Sequence, residues 1–134
     1  MLLINLFKYS LLFYAYKKKN SFRNIKARFN LNGLVEVHHI IPRQFKGHPT
    51  IRESKYDIEN TYNLMFLPTY KGKSKLNLNE NRPIHEGGHI KYNYYIKYIL
   101  NELDNNNLKD EESMCILNKN LRSNLKNITY VPWK

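Results

Sequence analysis

Cysteine is almost missing from this chain of 134 residues: Cys115 stands alone, which excludes an internal disulfide framework and a cysteine-based metal cage. Any metal must then be held by histidine or carboxylate. Acidic residues are scarce, with 11 Asp+Glu against 22 Lys+Arg, and the formal net charge of +11 is spread along the whole sequence. Such a field attracts polyanions, nucleic acid first and anionic membrane surface second. A Lys- and Asn-heavy composition accounts for part of the excess. Glycine and proline number five each, too few for a long flexible linker, and no internal repeat is present. Long apolar runs are absent after MLLINLFKYSLLFYAY at the start. Lys17, Lys18 and Lys19 follow that run instead of preceding it, the wrong order for a signal peptide. It also contains Lys8 and falls short of the roughly 20 residues that a spanning helix needs. It reads as an amphipathic helix packed on the domain, so no cleavable signal or transmembrane segment is expected and the location is cytoplasmic or host intracellular.

The length suits one domain over residues 1–134, large enough to bury a core. Its parts are a basic helical segment (1–33), a central unit (34–104) and a last helix with tail (105–134). A short helix is predicted from about Ser21 to Phe29, released at Gly33 into LVEVHHIIP, a β-branched, alternating run stopped by Pro42. A second apolar run, NLMFLP, stops at Pro68, which gives two strands with a long irregular loop over residues 43–62. KGKSKLNLNENRP reads as a second polar loop. Pro83 suits the first turn of a helix from about Ile84 to Leu103, and another is expected from about Leu108 to Asn127, with Met114, Leu117, Leu121 and Leu125 at core spacing. Trp133 reads as a packing anchor.

Four of the five histidines fall in two groups, His38–His39 and His85–His89, while His48 stands apart beside Pro49. The second group, with Glu86, spells the H-E-x-x-H pattern of zinc metalloproteases. In those enzymes the motif lies inside a longer helix, yet here Pro83 blocks an earlier start and Gly87 and Gly88 weaken helix propensity. No third histidine follows. Advancing about 100° per residue from His85 puts His89, Tyr92, Ile96, Ile99, Leu100 and Leu103 on one stripe, so both histidines face inward and converge as a metal pair does. On a strand, neighbouring side chains point to opposite faces, so His38 and His39 have divergent jobs unless the backbone turns. One can bind metal while the other serves as a base near neutral pH. The plainer alternative is one core and one surface histidine.

The series VHHIIP, NLMFLP and HEGGH resembles the His-Me finger nucleases, the HNH and endonuclease VII superfamily. It is most similar to the AHH branch with its double histidine, and it is also like colicin DNase domains. The likeness covers residues 36–103. It implies an α+β fold with a ββα-metal core, a two-stranded antiparallel sheet and a helix around one metal ion, plus additional N- and C-terminal helices. Residue by residue, it makes His38, His85 and His89 metal ligands and His39 the general base. Asn63 matches the asparagine that pins the loop and helps orient that base. Glu36 has a counterpart in colicin domains as a hydrogen-bond acceptor behind the metal ligands. Val37 departs from the alanine of the AHH signature, and the step from His38 to Asn63 is longer than in compact HNH motifs. Glu86 has no family role and reads as a carboxylate at a helix N-terminus.

The resemblance implies a metal-dependent endonuclease, with DNA ahead of RNA by analogy. One divalent ion is expected, with zinc, magnesium, nickel and manganese as candidates; three histidine ligands favour zinc, nickel or cobalt over magnesium in affinity. Arg43, Lys71, Lys73, Lys75 and Arg82 lie in the expected loops and would neutralise phosphates. Among Tyr92, Tyr94, Tyr95 and Tyr98 one could stack on a base. Nucleic acid is the expected partner, with an immunity protein added if the chain is a toxin; no small-molecule cofactor or membrane is expected. Two other readings stand beside this one: a non-catalytic zinc-stabilised nucleic-acid-binding domain, and the H-E-x-x-H protease with Glu86 as its base.

Overall fold

The computed structural model describes residues 21–78, 80, 82–126 and 131–134. The expected N-terminal amphipathic helix lies outside them. Helix α1 (Ser21–Arg28) leads to strand β1 (Val35–His39), which pairs antiparallel with β2 (Leu64–Pro68). The register sets Glu36 opposite Leu67, His38 opposite Met65 and His39 opposite Leu64. Helix α4 (Ile90–Asn105) completes an α+β ββα unit, and α5 (Glu111–Lys126) packs behind it. Ile40, Leu67, Tyr92, Ile96, Leu100 and Leu121 are among the buried side chains that join these pieces in one core. Among the described residues, no helix is long and apolar enough to cross a membrane.

Helices α4 and α5 follow their apolar spacing. Tyr92, Ile96 and Leu100 are buried at successive fourth positions of α4. On α5 Met114, Leu121 and Leu125 are buried, with Leu117 half-buried against the core. That helix starts at Glu111 rather than Leu108 because Asp110 caps it: its Oδ1 accepts from the Ser113 amide at 2.8 Å. Leu108 stays exposed.

The two segments expected to be irregular each contain a helix. Within residues 43–62 lies α2 (Pro49–Ser54), with Pro49 in its first turn. His48 caps it, Nδ1 accepting from the Thr50 amide at 3.2 Å, and His48 Nε2 lies 2.9 Å from Asn101 Oδ1 on α4. His48 is thus a structural residue. Within residues 70–83 lies α3 (Tyr70–Lys75), capped by Thr69, whose Oγ1 accepts from the Gly72 amide at 3.0 Å and donates to the Gly33 carbonyl at 2.8 Å. Gly72 brings α3 against the entry to β1 so closely that a Cβ there would sit 1.7 Å from the Leu34 carbonyl oxygen. Gly72→Ala is therefore expected to cost about 1–3 kcal/mol through forced displacement of α3, seen as a lower Tm in thermal unfolding.

Candidate active site

Helix α4 begins at Ile90 and not near Ile84, which corrects the expectation that His85 and His89 share a helical face. Gly87 takes φ +70°, a left-handed conformation that ends any helical path from Pro83. His85 therefore sits in the connecting loop, where its amide donates to the Pro68 carbonyl at 2.9 Å and ties the loop to the end of β2. His89 is the residue that opens α4. The pair still converges, through a loop and a helix terminus in place of one helical stripe.

The third histidine comes from β1. His38 is 1% exposed, and its Nε2 is buried with no hydrogen-bond partner. An imidazole nitrogen in that position loses its hydration without replacement unless something binds it. Its ring lies edge-on to His85 at 5.3 Å and to His89 at 5.2 Å between centroids. One ligand nitrogen from each of His38, His85 and His89 lies within 4.8 Å of the other two. Burial, then the neighbouring His85 and His89, pushes the His38 pKa down to about 2. His85 is lowered too, chiefly by burial and then by His89. Neutral imidazoles aimed at one point are a donor set that fits a divalent ion.

Two neighbours of the trio carried no role in the sequence reading. His89 Nδ1 lies 3.0 Å from Asn93 Oδ1, one helical turn on. With the proton on Nδ1, the bond leaves the Nε2 lone pair free to bind a metal ion. Trp133, read only as a packing anchor, donates from Nε1 to the Ile84 carbonyl at 2.9 Å, and its ring stands 4.9 Å from His89 and 5.2 Å from His38. It walls the trio together with buried Tyr92, whose ring is 5.2 Å from that of Trp133 and whose hydroxyl donates to the Ile40 carbonyl at 2.7 Å. The i to i+4 spacing of His89 and Asn93 was a usable sequence signal; no spacing pointed to Trp133.

His39 and the trio line one cavity of about 310 Å³, with Val37, Arg43, Gln44 and Asn93 also on its wall. Glu59 stands beside the ring, Oε2 3.6 Å from His39 Nε2, too long for a hydrogen bond, so it acts through its charge. Arg43 grips the same carboxylate with two contacts of 2.9 Å, from Nε and from a terminal guanidinium nitrogen. That grip holds the Glu59 carboxyl below its ordinary range. Burial and then Arg43 lower the His39 pKa, while Glu59 opposes them. Glu59 lay in the loop given no pattern, and nothing in the sequence singled it out.

Asn63 is wholly buried behind this wall. Its Oδ1 accepts from the Ile41 amide at 2.8 Å and from the Tyr56 hydroxyl at 2.7 Å. Its Nδ2 donates to the Ile41 and Ile58 carbonyls at 3.0 and 2.8 Å. Asn63 thus fixes the backbone that leaves His39 and holds the loop to it. Asn118 on α5 donates to the Tyr56 hydroxyl and so links that helix to the same knot.

Glu36 pairs with Lys26 at 3.3 Å, and its charge reaches His85, where it opposes the burial and the His89 ring that lower that pKa. Of the five candidate phosphate-binding cations Arg43 alone lines the cavity. Lys71, Lys73 and Lys75 are on α3, and Lys73 donates to the Glu80 carbonyl. Arg82 is half-buried with Nε unpartnered, and it adds to the burial and the Arg122 charge that lower the Lys126 pKa. Glu86 sits at a helix N-terminus as expected, but that of α3: Oε1 accepts from the Tyr70 amide at 2.7 Å. A carboxylate held there is not poised as a base over the trio.

A strand pair feeding a helix, with three histidines gathered between them, is the arrangement of a ββα-metal nuclease core. Residues 20–129 match the model of the AHH family, a nuclease family of the HNH/ENDO VII superfamily with conserved AHH, and the chain belongs to that family. Val37 precedes the histidine pair here in place of alanine. No curated protein and no solved structure matches the chain.

Proposed function

We propose that the chain is a metal-dependent endonuclease that hydrolyses phosphodiester bonds, in DNA ahead of RNA, with His38, His85 and His89 as metal ligands and His39 as general base. The observation that carries this reading is the division of labour in one cavity: three histidines close on a common point, and the fourth stands outside them on the same wall. A divalent ion held by His38, His85 and His89 would supply positive charge to offset the charge that develops on the phosphate and the departing oxygen. Glu59, on the Nε2 side of His39, favours the tautomer with the proton on Nε2. Nδ1 is then the atom that takes the proton from the attacking water. Asn63 keeps the His39 backbone from shifting as the proton moves. Arg43, at the rim, holds Glu59 and meets the phosphate. The whole chain, residues 1–134, serves as one nuclease domain in this reading.

Purified protein is expected to nick plasmid in the presence of zinc, nickel, manganese or magnesium and to lose that activity on chelation. Glu86→Gln is expected to cleave as the parent does, because the carboxylate serves α3. A loss of all hydrolysis in Glu86→Gln, with His39→Ala still active, would establish the protease chemistry instead. Absence of cleavage with every one of these ions would overturn the nuclease reading.

A further inference from the structure

The outer face of α4 carries a row of large exposed side chains. Ile90, Tyr94 and Tyr98 are 61%, 65% and 64% exposed and follow one another at successive fourth positions. At about 100° per residue they share one stripe with Lys97, on the side of the helix opposite buried Tyr92, Ile96 and Leu100. The structure thereby separates the tyrosines of this helix: Tyr92 is core, Tyr95 packs against the core, and Tyr94 and Tyr98 are left to solvent. Ile90, Tyr94 and Lys97 line a second concavity with Gln44 and Asn93, and those last two residues also line the cavity of the histidines. The two concavities are therefore neighbours, meeting at Gln44 and Asn93. Asn93 forms the junction, bonded to His89.

We infer that this stripe is a track for unpaired nucleotides of the strand being cut, Tyr94 stacking on the base next to the scissile phosphate and Tyr98 on one further along. The inference rests on the nuclease reading and deepens it by naming single-stranded or locally unpaired nucleic acid as the substrate class. Charge selects this occupant. Lys97 lies within the concavity and Lys91 is exposed on the same helix, in a chain of net charge +11, which suits a phosphate backbone running past aromatic rings. A duplex keeps its bases stacked on one another and offers the tyrosines nothing to bind.

The test compares cleavage of a single-stranded oligonucleotide with that of its duplex. Tyr94→Ala is expected to lower the single-strand to duplex ratio of kcat/KM by about 5- to 100-fold, the range of one lost base–aromatic stack. Tyr94→Phe, which keeps the ring, should hold the parent ratio. Ile116→Ala, which removes another exposed apolar side chain, from α5, should also hold it. An unchanged ratio in Tyr94→Ala, or an equal loss on both substrates, overturns the inference; so does a fall in Tm, which would mean that the face is covered by protein. Fluorescence anisotropy of the labelled single strand, measured in chelator, keeps this outcome separate from failure of the nuclease reading. Weaker binding in Tyr94→Ala supports the track even if no ion restores cleavage, and parental binding rejects it.

Discussion

His39→Ala is expected to lower kcat/KM for phosphodiester cleavage by about 10²–10⁴-fold, the usual contribution of a positioned base, while binding of the divalent ion persists. The two readouts separate because His39 is not one of the three converging histidines. Ion binding can be followed without activity: Trp133 is the one tryptophan of the chain, 4.9 Å from the His89 ring, and nickel or copper at the trio should quench its fluorescence in parent and variant alike. Parental cleavage by His39→Ala would remove the base from the mechanism. The pH profile gives a second measurement. Burial and Arg43 lower the His39 pKa, so the ring is neutral and competent above its ordinary value of 6.5. The rate should therefore rise with pH along an acid limb whose midpoint lies below 6.5, then level off. Glu59→Gln removes the charge that raises this pKa, so the limb should move to lower pH as the rate falls.

The second large effect is on stability. A divalent ion at about a hundredfold its dissociation constant should stabilise the native state by about 2.7 kcal/mol, a rise in Tm of roughly 10 °C for a chain of this size. His85→Ala, which removes the half-buried loop histidine of the trio, should abolish most of that rise while leaving a folded protein. An equal rise in parent and variant would place the ion elsewhere. In the absence of metal His38 makes the largest contribution to the pH dependence, with His39 and His85, also lowered, adding in the same direction. The His38 pKa is about 2 in the folded state against an ordinary value of 6.5, so between these values the unfolded chain binds the extra proton. Stability is then fully present above pH 6.5 and is lost as the pH falls below it, at up to about 1.4 kcal/mol per pH unit for one such group. Chelated protein should show a Tm that drops through the range from pH 6.5 to 5, as followed by circular dichroism.

Much of this architecture could be read from spacing. Alternation and proline stops located both strands, and fourth-residue spacing found the buried faces of α4 and α5. The histidine groups were recognisable because a site built from few residue types leaves an unusual local composition. The misreadings share one physical cause, dependence on partners distant in sequence. Helix α3 is only six residues long, with glycine, serine and tyrosine among its lysines, too short to stand alone and held by the Thr69 cap and by the approach of Gly72 to Leu34. The start of α4 depended on whether Gly87 would use its left-handed freedom, and His85 reaches the trio through a backbone bond to Pro68. Glu59 and Trp133 meet the histidines only through the folded backbone, so local periodicity holds no trace of either.

The wall made by Trp133 also bears on the order in which the site is built. His38, His85, His89 and Trp133 belong to a strand, a loop, a helix terminus and a segment beyond the last helix, so every pairing among them except His85 with His89 closes a long stretch of chain. Contacts of that kind form late, after the more local structure is in place. A bound ion would then leave the folding rate almost unchanged and slow unfolding instead, making the metal a brake on opening of the native state and not a nucleus for its formation.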